Sequence, residues 1–250
     1  MKLTFLGTAG GRIAVMTQAR ASGGWILEMD GEMLHVDPGP GALVRAKQYG
    51  VNLRKLTGLV ISHAHPDHCT DAEVVIESMT EGTNRKRGVV IGNEHLLECD
   101  KNYRRIISPF HAGLPERVEV MEPGGTANVG AIKITAAPTR HADSNCLGFI
   151  FRGSKTLGYA NDGEYFEGQE NHYRGCDCLI LNVLKPRGFN WPTHMNTDQA
   201  CKLVGLAKPK LAVLSHFGMH MLKAGPEKEA AWIEKQTGVK TLAARDGMFI

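Results

Sequence analysis

Between Ser62 and Asp71 the chain reads Ser-His-Ala-His-Pro-Asp-His-Cys-Thr-Asp, placing three histidines and an aspartate within the six positions His63 to His68. Imidazole is only moderately apolar and each buried ring nitrogen needs a partner, so packing alone gives no reason for such crowding. Neutral imidazole and carboxylate are the usual ligands of zinc and its divalent neighbours, and a bound cation satisfies all four groups at once. The block His63-x-His65-x-Asp67-His68 therefore reads as half of a two-metal site. The plainer alternative is a polar loop that happens to be rich in histidine.

The flanking residues say how the block is held. Leu59-Val60-Ile61 is a short apolar run of the kind that forms a buried strand, ending at Ser62. If the extended backbone continues, His63 and His65 project to the same side. Pro66 cannot continue a sheet ladder and suits the first turn of a helix. Thr70 followed by Glu73 suggests a capping box that opens a helix over Ala72–Met79. Asp67 and His68 then fall where the chain turns over, able to face a second metal beside the first.

Stepping outward, strand-like runs recur at Leu3–Leu6, Gly24–Met29, Met33–Val36, Val89–Ile91, Val118–Met121, Ile132–Ala136, Phe149–Phe151, Thr156–Tyr159, Leu179–Leu181 and Leu211–Leu214. Helical segments are expected near Ala42–Tyr49, Ala72–Met79, Thr197–Leu206 and Glu227–Gln236. At 250 residues with 42% hydrophobic residues the chain can bury a full core, and residues 1–250 read as one domain with no linker or repeat. No run approaches the roughly 18 apolar residues of a membrane span. Met1-Lys2 leads straight into the first strand, so no signal peptide is expected. Six scattered cysteines, with Cys176 and Cys178 too close for a zinc knuckle, read as free thiols of a cytoplasmic protein. A net charge of +3 tolerates anionic substrates without demanding nucleic acid.

His63-Ala-His65-Pro-Asp67-His68 resembles the H-x-H-x-D-H signature of the metallo-β-lactamase superfamily, and further motifs of that superfamily follow in order. They are Asp37 in His35-Val-Asp-Pro-Gly-Pro-Gly, His141 in Pro138-Thr-Arg-His-Ala-Asp, Asp162 in Gly158-Tyr-Ala-Asn-Asp-Gly, and His216 in Leu211-Ala-Val-Leu-Ser-His. The resemblance implies an α/β fold, a four-layer αββα sandwich, with its ligands on loops along one edge. It implies that His63, His65 and His141 hold one metal, that Asp67, His68 and His216 hold the other, and that Asp162 bridges them. Taken singly, His141 reads as a core histidine and Asp162 before Gly163 as a turn aspartate. Asp37 is expected to orient a ligand histidine rather than to bind metal. The two divalent ions are expected to be zinc, with manganese or iron suiting the same ligands. His35, His95, His111, His172 and His220 read as surface or core histidines, His172 and His220 being the two to check for proximity to the site.

The superfamily carries several chemistries, so the reaction needs its own argument. The second histidine of the signature, commonly glutamate in flavodiiron proteins, is His65 here, and hydrolysis is expected. Phe5-Leu-Gly-Thr-Ala-Gly-Gly is similar to the opening of ribonuclease Z, against a plain glycine-rich turn as the other reading. Thr193-His-Met-Asn-Thr-Asp-Gln-Ala resembles the ribonuclease Z segment in which a histidine before a helix donates a proton to the leaving oxygen. His194 matches that histidine, although Met195-Asn196 replaces the usual Ser-Thr. Only 20 residues separate His141 from Asp162, too few for the long arm that grips transfer RNA, so tRNA is not expected as a partner. Arg85-Lys86-Arg87 reads as a solvated loop. The expectation is a phosphodiesterase for a small or short phosphodiester, using a metal-bound hydroxide oriented by Asp67, with His194 as proton donor. A glyoxalase II-like thioesterase or lactonase is the alternative enzyme, and a non-catalytic metal-binding protein of the same fold the alternative from another class. Homodimerisation is suggested by analogy alone.

Overall fold

The apolar runs become two mixed sheets in a computed structural model that describes residues 1–250. The first sheet takes β1 (Lys2–Phe5), β2 (Trp25–Met29), β3 (Glu32–Val36), β4 (Gly58–Ile61), β5 (Val89–Gly92) and β6 (Arg117–Val120) in that order. The second takes β7 (Thr126–Val129), β8 (Ile132–Pro138), β9 (Leu147–Arg152), β10 (Thr156–Ala160), β11 (Cys178–Asn182), β12 (Ala212–Ser215) and β13 (Thr241–Ala243), again in chain order. β3 to β6 pair in parallel, as do β10 to β13. The remaining pairs are antiparallel.

Parallel strands need crossover connections, and these supply the outer layers. The helices are α1 (Arg12–Met16), α2 (Ala42–Gln48), α3 (Pro66–Cys69), α4 (Ala72–Met79), α5 (Pro109–Ala112), α6 (Glu170–Tyr173), α7 (Thr197–Ala207), α8 (Met219–Ala224) and α9 (Pro226–Thr237). Ala42 and Ala46 of α2, with Val75, Ile76 and Met79 of α4, cover Leu59 and Ile61 of β4. Leu203 and Val204 of α7 and Ile233 of α9 cover Leu179 and Leu181 of β11. Val60 and Ile180 on the opposite faces enter the core between the sheets, with Phe149, Phe151 and Trp25. Strands covered on both faces must be apolar at successive positions, which is why β4 and β11 read as unbroken runs. The layers are thus helix, sheet, sheet, helix. No helix is long and apolar enough to cross a membrane.

Local expectations are revised in two respects. The Thr70–Glu73 capping box does not form. The α-helical backbone of α3 carries through Thr70, whose hydroxyl bonds back to the Pro66 carbonyl at 2.6 Å, and Glu73 accepts from the Ser108 N–H. Asp71 takes the N-cap position of α4. The edge strands β7 and β13 and the short helices α1, α5, α6 and α8 add to the expected elements. β13 has three residues and β7 alternates exposed and buried positions, so neither shows a sustained apolar run.

Phe151 is fully buried between the sheets with its ring 5.8 Å from that of Trp25. Phe151→Ala should therefore lower unfolding free energy by about 3–5 kcal/mol in denaturant titration of chelator-treated protein. A loss under about 1 kcal/mol would mean that this ring does not join the two sheets.

Candidate metal centre

Because β3, β4, β8, β10, β11 and β12 run in register within their sheets, their carboxyl ends share an edge, and the chemistry-bearing residues follow those ends. Asp37 follows β3, Ser62 and His63 follow β4, His141 lies beyond β8, Asp162 beyond β10, and His216 directly after β12. α3 adds Asp67 and His68, with Pro66 at its first turn as its missing N–H allows. His194 precedes α7, whose N-cap is Asn196, its side chain accepting from the Gln199 N–H at 2.9 Å.

All eight residues singled out above as ligands or catalytic groups converge. Potential donor atoms of His63, His65, His141 and Asp162 lie within 4.8 Å of one another, as do those of Asp67, His68 and His216, and those of Asp162, His194 and His216. His65 Nδ1 is 2.9 Å from His63 Nε2 and 3.1 Å from His141 Nε2, and His68 Nε2 is 3.2 Å from His216 Nε2. Asp162 lies between the groups, Oδ1 being 3.4 Å from His216 Nε2 and Oδ2 3.6 Å from His68 Nε2 and 3.9 Å from His141 Nε2.

The outward ring nitrogens decide what the inward ones offer. His141 Nδ1–H donates to the Thr193 carbonyl at 2.9 Å and His68 Nδ1–H to Asp37 Oδ2 at 2.9 Å. In a neutral ring an outward N–H leaves the inward Nε2 with a bare lone pair, whereas a protonated His68 carries a second proton there. Bare lone pairs facing each other at such distances repel unless a proton or a metal cation lies between them. Two imidazole nitrogens on one ion, each at about 2.0–2.1 Å, stand roughly 2.9–3.4 Å apart, which matches the spacing seen. The donor set fits divalent cations.

Electrostatics point the same way. Burial pushes His63 well below the ordinary imidazole range, with the charge of His68 adding to it, and burial lowers His65 too, so both are neutral donors. At Asp162 and Asp67 burial works against ionisation, but His216 and His68 outweigh it and hold both carboxyls below the usual range. At His68 burial is outweighed by Asp67, Asp162 and Asp37, which hold it well above the ordinary value. A proton there partly balances charge that a metal ion would neutralise, and metal uptake would displace it.

Asp37 has the orienting role expected of it. Its carboxylate accepts the Ser62 N–H (2.8 Å), the Ser62 hydroxyl (2.8 Å), the Tyr159 hydroxyl (2.8 Å) and His68 Nδ1–H (2.9 Å). Other supports carried no signal in the sequence. Asn182 Nδ2 donates to Asp162 Oδ1 at 2.8 Å. The fully buried Asp143 carboxylate accepts the Ala64 N–H at 3.2 Å, fixing the peptide between His63 and His65, with His95 Nδ1 3.4 Å behind it. Tyr103 Oη lies 3.2 Å from His65 Nε2. Asp143 stands two residues after His141, but no spacing rule marks it, and the others meet the cluster only through the fold.

The glycine-rich opening is a close-approach device. A Cβ on Gly10 would fall 2.2 Å from His216 Nδ1, so only glycine lets this loop lie against the ligand ring. Asp37, Thr193 and His216 adopt left-handed backbone at φ 54°, 66° and 62°, strain of about 1–3 kcal/mol each that concentrates where donors are aimed. His220 lies against Lys185 and Phe189, and His172 against Tyr173, both outside the donor cluster. His35 is buried on the Gly23 carbonyl, burial lowering it to about 4.

Asp37→Asn would turn an amide N–H₂ towards donors that now meet a carboxylate oxygen. We expect metal affinity, by competition with a chromogenic chelator, to fall about 10–100-fold. Unchanged affinity in folded protein would show that His68 needs no such support.

Residues 33–217 match the Beta-lactamase superfamily domain. The chain is 34% identical over 251 residues to an uncharacterised protein of Methanocaldococcus jannaschii, covering 99% of this chain and 94% of that one. It is 26% identical over 231 residues to YhfI of Bacillus subtilis, described as a probable metallo-hydrolase, covering 88% and 89% of the two chains. The crystal structure of YhfI, a metallo-β-lactamase fold protein, aligns with a TM-score of 0.80 at 21% identity over 100% of this chain and 98% of that one. A diphosphatase of the PhnP family aligns with a TM-score of 0.73 at 20% identity over 100% and 96%. With this match over most of its length and its donor set in place, the chain belongs to the β-lactamase superfamily and is a metal-dependent hydrolase.

Proposed function

We propose that this hydrolase is a binuclear phosphodiesterase acting on a small or short phosphodiester. His63, His65 and His141 would hold one divalent ion and Asp67, His68 and His216 the other, with Asp162 shared, zinc being the favoured metal and manganese or iron suited by the same donors. Such ions lower the pKa of bound water and neutralise charge on phosphoryl oxygens. The chain's own groups set the rest. Asp67 Oδ2, 3.4 Å from His216 Nε2, is an acceptor able to orient a water proton on the open side of the cluster. Asn182 fixes the rotation of the Asp162 carboxylate.

The observation that carries the choice of phosphodiester is the position of His194. Its Nδ1 is 3.6 Å from Asp162 Oδ2, and its ring centroid is 4.8 Å from that of His141 and 6.1 Å from that of His216, so it adjoins both donor groups. An alkoxide leaving a phosphodiester gains from such a proton donor, whereas a thiolate leaves without one. Burial lowers His194 to about 4, so it is neutral at pH 7 before substrate arrives. A phosphoryl anion beside it raises its pKa and loads the proton it then gives up. The stretch between His141 and Asp162 is taken up by the β9–β10 hairpin, which favours a small substrate over transfer RNA. The diphosphatase neighbour means that this fold hosts hydrolysis at phosphorus.

Metal-loaded protein should turn over bis(p-nitrophenyl) phosphate and lose that activity with chelator. Hydrolysis of lactones or thioesters without any phosphodiester turnover would overturn the proposal in favour of a thioesterase or lactonase. His194→Ala should keep its metal content and lower turnover of a 2′,3′-cyclic nucleotide, whose leaving oxygen is an alkoxide, by about 10²–10⁴-fold. The loss should be much smaller for the p-nitrophenyl ester, whose leaving group needs little protonation. Metal lost from the variant would make His194 a ligand instead.

A further inference from the structure

The segment from Lys185 to His194 joins β11 to α7 and is anchored along its length. Thr197 N–H donates to the Lys185 carbonyl at 3.1 Å, and the Glu229 carboxylate receives the Arg187 backbone N–H (3.0 Å) and its guanidinium Nε (3.1 and 3.2 Å). The Gly188 N–H reaches Asp198 Oδ2 at 2.8 Å, the Phe189 carbonyl accepts Asn196 Nδ2 at 2.8 Å, and the Thr193 carbonyl accepts His141 Nδ1–H. A loop held this firmly nevertheless leaves two large aromatic side chains in water, Phe189 at 46% and Trp191 at 58% exposure. One such residue would need no explanation, whereas two on a fixed loop beside a catalytic centre do.

The chemistry around them is specific. Lys185 Nζ stands 4.8 Å from the Trp191 ring centroid and donates to His220 Nδ1 at 3.1 Å, and it has no carboxylate partner. The His220 ring lies 5.0 Å from that of Phe189. Lys185 covers one face of the indole, so the rest of this half-exposed ring is open to a planar ligand. The platform is also close to the reaction: the His194 N–H points at the Trp191 carbonyl at 3.4 Å, and Lys185 comes three residues after Asn182, which holds Asp162. A flat π-face beside an ammonium with no carboxylate partner, one turn of chain from the proton donor, matches an aromatic base joined to a phosphate.

Resting on the phosphodiester reading above, we propose that Trp191 and Lys185 form the subsite for the nucleoside of a nucleotide phosphodiester. The base stacks on the face of Trp191 that Lys185 leaves open, and the Lys185 ammonium, held at the other face, attracts the negative charge of the phosphodiester. The enzyme therefore selects nucleotide diesters over diesters that carry small alkyl groups.

The test compares two esters with the same leaving group, thymidine 5′-(p-nitrophenyl phosphate) and methyl p-nitrophenyl phosphate, on the metal-loaded enzyme. Trp191→Ala should raise KM for the nucleoside ester about tenfold more than for the methyl ester, with kcat retained, and Trp191→Phe should restore most of the difference. Lys185→Gln should shift the same ratio in the same direction. KM values that move together for the two esters, or not at all, would overturn the subsite. If the wild-type enzyme cleaves neither ester, the phosphodiester reading fails, and the subsite is judged by tryptophan fluorescence during titration with thymidine 5′-monophosphate. Saturable quenching that disappears in Trp191→Phe upholds it; absent quenching, or quenching that the variant retains, overturns it.

Discussion

One buried carboxylate holds the working edge of this molecule together. Asp37 accepts hydrogen bonds from Ser62 after β4, from His68 on α3, and from Tyr159 on β10 of the other sheet. A buried charge costs several kcal/mol unless it is paired and fully hydrogen-bonded, so these donors must all meet it. That requirement ties the two sheets at the edge where the strands end and fixes the ring of His68. It also explains why Asp37 tolerates a left-handed backbone immediately after β3.

The centre it supports has too much negative charge to stand alone. Asp37 and Asp162 are buried and Asp67 is mostly so, all close to one another, and a histidine among them is driven to hold a proton. His63 and His65, farther into the imidazole cluster, are driven neutral. One edge thus separates into a carboxylate-rich half and an imidazole-rich half that share Asp162. Divalent cations would resolve both conflicts, the facing lone pairs in one half and the surplus charge in the other.

Outside that centre lie loops with separate anchors. Tyr103 and the stretch Lys185–Thr193 border the donor cluster, and that stretch depends on contacts remote from it, such as Arg187 with Glu229. A rim of this kind can change without loss of the hydrolytic core, which is why one fold serves many substrates.

The sequence by itself determined the donor types, their order and most of the elements that carry them. His63, His65, Asp67 and His68 are legible because four metal-binding side chains fall within six consecutive residues. The apolar runs at β4, β11 and β12 are legible because both of their faces are covered, and the helices α2, α4, α7 and α9 begin and end close to where their patterns do. His141, Asp162, His194 and His216 stood out only as members of an ordered set, since a lone histidine or turn aspartate has no local signature. Tertiary structure decided what supports them: Asn182 on Asp162, Asp143 behind Ala64, Tyr103 on His65, and Gly10 against His216. These pairs are far apart in the chain or obey no spacing rule. Hydrogen bonds and close packing act through space, and only the meeting of strand ends from two sheets brings such groups within reach.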